Sequence, residues 1–297
     1  MLEHTGRFDD PQLESLLPPT AINRRGFLAG GAGAGFALAA GPLAAQSVIR
    51  TPADGLYTAD MKVPTGQGDM PAYLACPVNG ARHATVLVVP EIFGMHEYQK
   101  DICRRLALRG YTGVTLDPYF RLGELARMTE IREVVGLANR LEDARMLADL
   151  DALVAFISAH PRVNAARMGI TGMCRGGRTV WMYAAHSKQM KAGVSWYGGL
   201  NPMPPAMPRT PIDVAGALNM PVLGLYGGAD AGIPVALVAR MQEALKAGSK
   251  GSQASRFVLY RDMPHAFHAD YRPSYRKEAA EDGWQQMLAW FKEHGVA

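Results

Sequence analysis

From residue 85 onward the chain alternates short, continuous apolar runs with stretches of helical spacing, and this constrains the fold most. TVLVVPEIFG (85–94) has no polar alternation, so both of its faces must be buried. Such strands belong to parallel sheets covered by helices on either side. The runs 111–119, 167–172, 191–198, 221–228 and 257–260 read as further strands. Helical spacing covers 97–110 with a Gly110 stop, most of 133–160, then 177–187, 235–248 and 277–295. Ahead of them, LYTADMKV (56–63) and PAYLACPV (71–78) flank the turn-like TGQGD as a hairpin would. The pattern predicts an α/β fold with a mostly parallel, doubly wound sheet and helices on both faces. No linker divides residues 46–297, so one domain is expected there. GLNPMPPAMPRTPIDVAG (199–216), with five prolines, reads as a loop near the rim of a site.

Residues 1–45 read as an address. Arg24-Arg25 precede an apolar, Gly/Ala-rich run that ends in small residues near Ala45. A positive stretch, an apolar stretch and a small-residue exit make a secretory signal. The adjacent arginines followed by Gly-Phe-Leu resemble the twin-arginine class. A membrane-spanning helix is the competing reading. Six residues of the run, Gly30, Gly31, Gly33, Gly35, Gly41 and Pro42, make it a poor one, so no stable anchor is expected. The expectation is export by twin-arginine machinery to the periplasm or the exterior.

The net charge of +4 comes without a basic run or interleaved aromatics, which argues against a nucleic-acid partner. The cysteines, Cys76, Cys103 and Cys174, lack zinc-site spacing, and no metal or cofactor is implied. A Cys76–Cys103 disulfide is conceivable, but nothing in the sequence argues for it. The oligomeric state is not legible.

In doubly wound sheets, sites gather where strands end at their carboxyl side. Four such ends here carry chemistry: Glu91 after TVLVVP, Cys174 after RMGITG, Asp230 after PVLGLYGG, and His265 after FVLY. Gly172-Met173-Cys174-Arg175-Gly176 has the G-x-nucleophile-x-G form, in which the sharp turn from strand to helix needs small neighbours. The N–H groups opening the next helix favour a thiolate and can hold an oxyanion. A cysteine between glycines can also be mere filler. The order nucleophile, acid, histidine is that of the α/β-hydrolase triad and favours the nucleophile. His265 would be the base, with His268 a rival. Asp230 would orient the imidazole. The alternatives are that Asp230 caps a helix or that Asp262 takes its place. Glu91 next to a cysteine could accept the thiol proton.

With these residues assembled, the chain resembles dienelactone hydrolase and its relatives, the carboxymethylenebutenolidase group of the α/β-hydrolases. The resemblance rests on VVPEIFGM, YTGVTLDPYFR, GMCRGG, LYGGADAGIP and MPHAFH, and covers residue 60 to the C-terminus. It implies a Cys174–His265–Asp230 triad with Glu91 holding and activating the cysteine. It implies an oxyanion hole from the backbone N–H groups of Ile92 and Arg175. It also implies that Arg121 binds a substrate carboxylate. The family's second carboxylate-binding arginine falls on Ala269, and Arg272 lies nearby out of register. The resemblance implies a small-molecule lactone or ester as substrate. The other readings are a non-hydrolytic binding or thiol redox-sensing protein, and an acyltransferase or peptidase using the same triad.

Overall fold

The apolar runs pair into one eight-stranded sheet, ordered β1-β2-β4-β3-β5-β6-β7-β8. The computed structural model describes residues 49–203 and 205–297, so the address expected at residues 1–45 lies outside the described residues. β1 (Leu56–Thr65) and β2 (Gly68–Pro77) form the expected antiparallel hairpin, and β2 is also antiparallel to β4 (Thr112–Leu116). From β4 through β3 (His83–Val89), β5 (Val163–Met173), β6 (Ala192–Trp196), β7 (Val222–Gly227) and β8 (Arg256–Tyr260), neighbouring strands are parallel. Every residue of β4, β6 and β7 is buried, as strands covered on both faces require.

The helices are α1 (Glu97–Ala107), α2 (Ile131–Ala138), α3 (Asp143–Ser158), α4 (Arg175–His186), the short α5 (Pro211–Val214), α6 (Val235–Lys246), the short α7 (Lys250–Ala254) and α8 (Lys277–Glu293). Residue 169 of β5 meets Phe291 of α8, whereas residue 172 meets Gly176 of α4. An odd separation along a strand points to opposite faces, so α8 and α4 cover opposite sides of the sheet. Helix α1 shares the α8 side. There Arg105 and Trp284 line a cavity of about 570 Å³.

The helix expected over 133–160 is broken at residues 139–142. Two arginines of α4 dock at the break. Arg178, 1% exposed, grips Asp143 at the start of α3 through both carboxylate oxygens (2.5 and 2.9 Å), and Arg175 donates to Asn139 Oδ1. The proline-rich stretch is not wholly loop. Pro211 opens α5, where Thr210 and Asp213 form a reciprocal capping box. Cys76 and Cys103 are buried free thiols. No helix among the described residues is long and apolar enough to cross a membrane.

Buried polar pins stitch the sheet to α4. Trp181 Nε1 donates to Tyr226 Oη (3.0 Å), whose O–H donates to the Gly198 carbonyl (2.8 Å). Ser195 Oγ donates to the Gly177 carbonyl (2.9 Å). Each such bond contributes about 1 kcal/mol and, more importantly, leaves no polar atom stranded.

Candidate active site

The four strand ends expected to carry chemistry converge at one edge of the sheet. Cys174 sits between β5 and α4 with φ 54° and ψ −116°, and it is itself the N-cap of α4. Left-handed backbone at a side chain with a Cβ is costly and holds only where the surroundings impose it. The imposition is visible. A Cβ on Gly172 would stand 2.4 Å from the Gly176 carbonyl oxygen, and one on Gly176 would stand 2.2 Å from that of Val89. The glycines let strand, turn and helix close on one another. No side chain caps α4, so its first N–H groups, Arg175 among them, remain for a ligand.

Asp230 and His265 are brought together by two loops pressed face to face. Gly228 N–H donates to the Tyr260 carbonyl (2.8 Å) and Ala229 N–H to that of Met263 (3.1 Å). A Cβ on Gly227 would stand 2.2 Å from the Met263 carbonyl oxygen, which explains the glycine pair ahead of Asp230. The Asp230 Oδ2–His265 Nδ1 distance is 2.7 Å, and Oδ1 accepts the Gly232 N–H at 2.9 Å. Asp230 therefore orients the ring, and Asp262 does not. Burial alone would push the imidazole down. The opposing charges of Asp230 and then Cys174 outweigh burial and lift it to about 10. Cys174 thus acts on the ring electrostatically, although Nε2 makes no hydrogen bond of full geometry.

The rival His268 has another task. Its Nδ1 lies 2.6 Å from Tyr98 Oη of α1, and its ring lies 4.3 Å from that of Trp196. Burial, then Arg105, pushes it down to about 3, so it is neutral. The segment 265–272 is buried throughout.

Glu91 is fully buried. Neither of its oxygens is hydrogen bonded to Cys174. Oε2 accepts a short hydrogen bond from Tyr271 Oη, Arg272 Nη2 stands 4.0 Å from the same oxygen, and Oε1 has no hydrogen-bond partner. Two successive turns, Ala269 N–H to Ala266 O and Arg272 N–H to Ala269 O, coil the chain so that residue 272 reaches the glutamate. The Arg272 guanidinium is 2% exposed, lies against the rings of Phe93 and Tyr271, and leaves Nη1 and Nη2 without hydrogen bonds. Ala269, at the register of the family's second arginine, is buried and apolar.

Arg121 is already engaged. It meets Asp149 of α3 through both nitrogens (2.8 and 3.0 Å), donates to Thr65 Oγ1 (2.9 Å) and stacks over Phe120.

Tyr197 and Tyr271 were not foreseen from sequence. Tyr197 follows β6 with φ 38°, its ring lies 5.0 Å from that of His265, and its buried hydroxyl has no hydrogen-bond partner. Besides Cys174 and Tyr197, the remaining non-glycine residue at positive φ among the described residues is Ala266 (58°), next to His265. Strain therefore clusters at this site, as it does at functional sites generally. No group of three or more His, Cys, Asp or Glu among the described residues could hold a metal ion.

The arrangement offers a thiol at a helix N-terminus, an imidazole hydrogen bonded to a carboxylate, and a second buried carboxylate. Groups of these kinds serve acyl transfer. Residues 70–295 match the model of the dienelactone hydrolase family. A proposed carboxymethylenebutenolidase of Methylorubrum extorquens is 49% identical over 290 residues, 97% of this chain and 99% of that protein. One from Escherichia coli K12 is 44% identical over 264 residues, 88% of this chain and 96% of that protein. The crystal structure of a proposed dienelactone hydrolase from Klebsiella pneumoniae has TM-score 0.76 and 43% identity, covering 80% of this chain and 99% of that one.

Proposed function

Because the chain belongs to the dienelactone hydrolase family and is a hydrolase of lactone or ester bonds, we propose that it works through a Cys174 thioester, with Glu91, His265 and Asp230 in support. The observation that carries this reading is Cys174 at φ 54° at the head of α4, together with a buried imidazole that Asp230 holds at 2.7 Å. Cys174 gives its proton to Glu91, assisted by His265, and the thiolate attacks the carbonyl carbon. The Ile92 and Arg175 N–H groups hold the oxyanion. One such donor is typically worth about 10²–10³ in rate. The carbon–oxygen bond then breaks. The leaving oxygen takes its proton from the His265 imidazolium, which leaves that ring neutral, and the acyl group stays on sulfur. Water, activated by His265 and oriented through Asp230, hydrolyses the thioester and releases the acid.

A substrate carboxylate would find the Arg272 guanidinium, whose two terminal nitrogens are buried without hydrogen bonds. Arg121 would contribute only by giving up its pairing with Asp149. The test is a screen of dienelactones, neutral lactones and p-nitrophenyl esters against wild type, Cys174→Ala, Arg121→Ala and Arg272→Met. Cys174→Ala is expected to abolish turnover, and Arg272→Met to penalise anionic substrates more than neutral ones. Turnover retained by Cys174→Ala would overturn the mechanism.

On sequence grounds alone, residues 1–45 serve as a twin-arginine-type export signal for a periplasmic or extracellular enzyme. N-terminal sequencing of cell fractions tests this. An uncut chain confined to the cytoplasm would refute it.

A further inference from the structure

Glu91 is the buried group whose surroundings exceed what the triad requires. Among the described residues its hydrogen bonding is one-sided: Oε2 receives the Tyr271 O–H, and Oε1 receives none. Tyr271 Oη in turn accepts from Arg272 Nε at 3.3 Å. A hydroxyl that accepts from a cation is a stronger donor toward its next partner. The phenol ring is held edge-on against His96 (5.3 Å) and Tyr98 (5.1 Å). Burial and the Glu91 charge, opposed by Arg272, push the Tyr271 phenol well above its usual range, so it remains a donor at every working pH. The other titratable groups that interact with Glu91 are Tyr98 of α1, Tyr119 after β4, Tyr197 after β6 and Arg272.

We propose that Tyr271 is the positioning residue for Glu91: its O–H, polarised by Arg272, tethers Oε2 and leaves Oε1 as the oxygen that takes the Cys174 proton. This rests on Cys174 being the nucleophile. The tether has a measurable consequence. A donor that binds the carboxylate more strongly than the carboxylic acid lowers the pH at which the carboxyl–thiol pair loses its first proton. Removing the O–H raises that pH by about one unit.

The experiment measures alkylation of Cys174 by iodoacetamide, followed by intact mass, across pH. In Tyr271→Phe the acid midpoint of alkylation moves up by about one pH unit, and in a Glu91→Gln background the same substitution moves it no further. Tyr271→3-fluorotyrosine keeps the ring contacts with a more acidic phenol and moves the midpoint the other way. It also decides the matter if the phenylalanine variant does not fold. An unmoved midpoint, or an equal shift in the Glu91→Gln background, overturns the proposal. Alkylation needs no turnover, so the two readings fail separately. A protein that hydrolyses no ester but whose midpoint follows Tyr271 refutes the proposed mechanism only. Cys174-dependent hydrolysis with an unmoved midpoint refutes the tether only.

Discussion

Gly176→Ala tests whether the elbow works by close approach of backbone to backbone. The added Cβ would stand 2.2 Å from the Val89 carbonyl oxygen and 2.8 Å from that of Pro90. Relieving such a contact requires a shift of about 1 Å, and neither partner is a flexible side chain. Val89 is the last residue of β3 and is paired with Gly172 of β5, so the strand end cannot retreat without loosening the sheet. Overpacking of this kind costs about 1–3 kcal/mol, and the rigid neighbours place this case near 3. The same shift displaces Glu91 and Ile92, which follow Pro90 directly. Misplacement by about 1 Å costs roughly 10²-fold in rate. Gly136→Ala on α2 is the matched control, because a Cβ there meets nothing within 4 Å. It is expected to stabilise by about 0.5–1 kcal/mol, the helix penalty of glycine. Urea unfolding followed by the fluorescence of the buried Trp181 and Trp196 reads stability. Hydrolysis of p-nitrophenyl acetate reads rate. A Gly176→Ala protein within about 0.5 kcal/mol and about threefold of wild type, the range of an ordinary surface change, would refute the close-approach argument.

Asp230→Asn breaks the pair that orients His265, and kcat/KM is expected to fall by about 10⁴, with the circular dichroism spectrum unchanged. Arg121→Ala strands the 2%-exposed Asp149 carboxylate. It should cost about 3–5 kcal/mol in urea unfolding, so its activity must be compared at temperatures where the variant is folded. His268 takes a proton near 6.5 when unfolded but only near 3 when folded. Its contribution is therefore complete above pH 6.5 and is lost as pH falls toward 3, because the unfolded chain binds more protons in that window. Urea midpoints measured across that range should fall less steeply for His268→Gln than for wild type, and parallel curves would contradict the assignment.

The sheet was legible because burial on both faces leaves a local signature, a run of apolar side chains without alternation. That Cys174, Asp230 and His265 follow strand ends was legible for a related reason. Parallel strands deliver their carboxyl ends to one edge, so the residue after each run is a candidate wherever the chain later travels. The break at residues 139–142 was not legible, since the contacts at it come from Arg175 and Arg178, more than thirty residues away on α4. Glu91 shows the limit most clearly. Its place after β3 followed from the apolar run, but its hydrogen-bond donor is 180 residues distant. Arg272 stood out of register by counting, and only the two turns after Ala266 swing it round to the carboxylate. Sequence by itself determined the strand periods, the glycine-flanked turn at Cys174 and the order of the candidate site residues, because each is a property of neighbouring residues. Tertiary structure alone decided what faces Glu91, why His268 is neutral and where Arg121 is engaged. Those depend on which distant side chains share a space from which water is excluded, and there a single donor or charge settles where a proton resides.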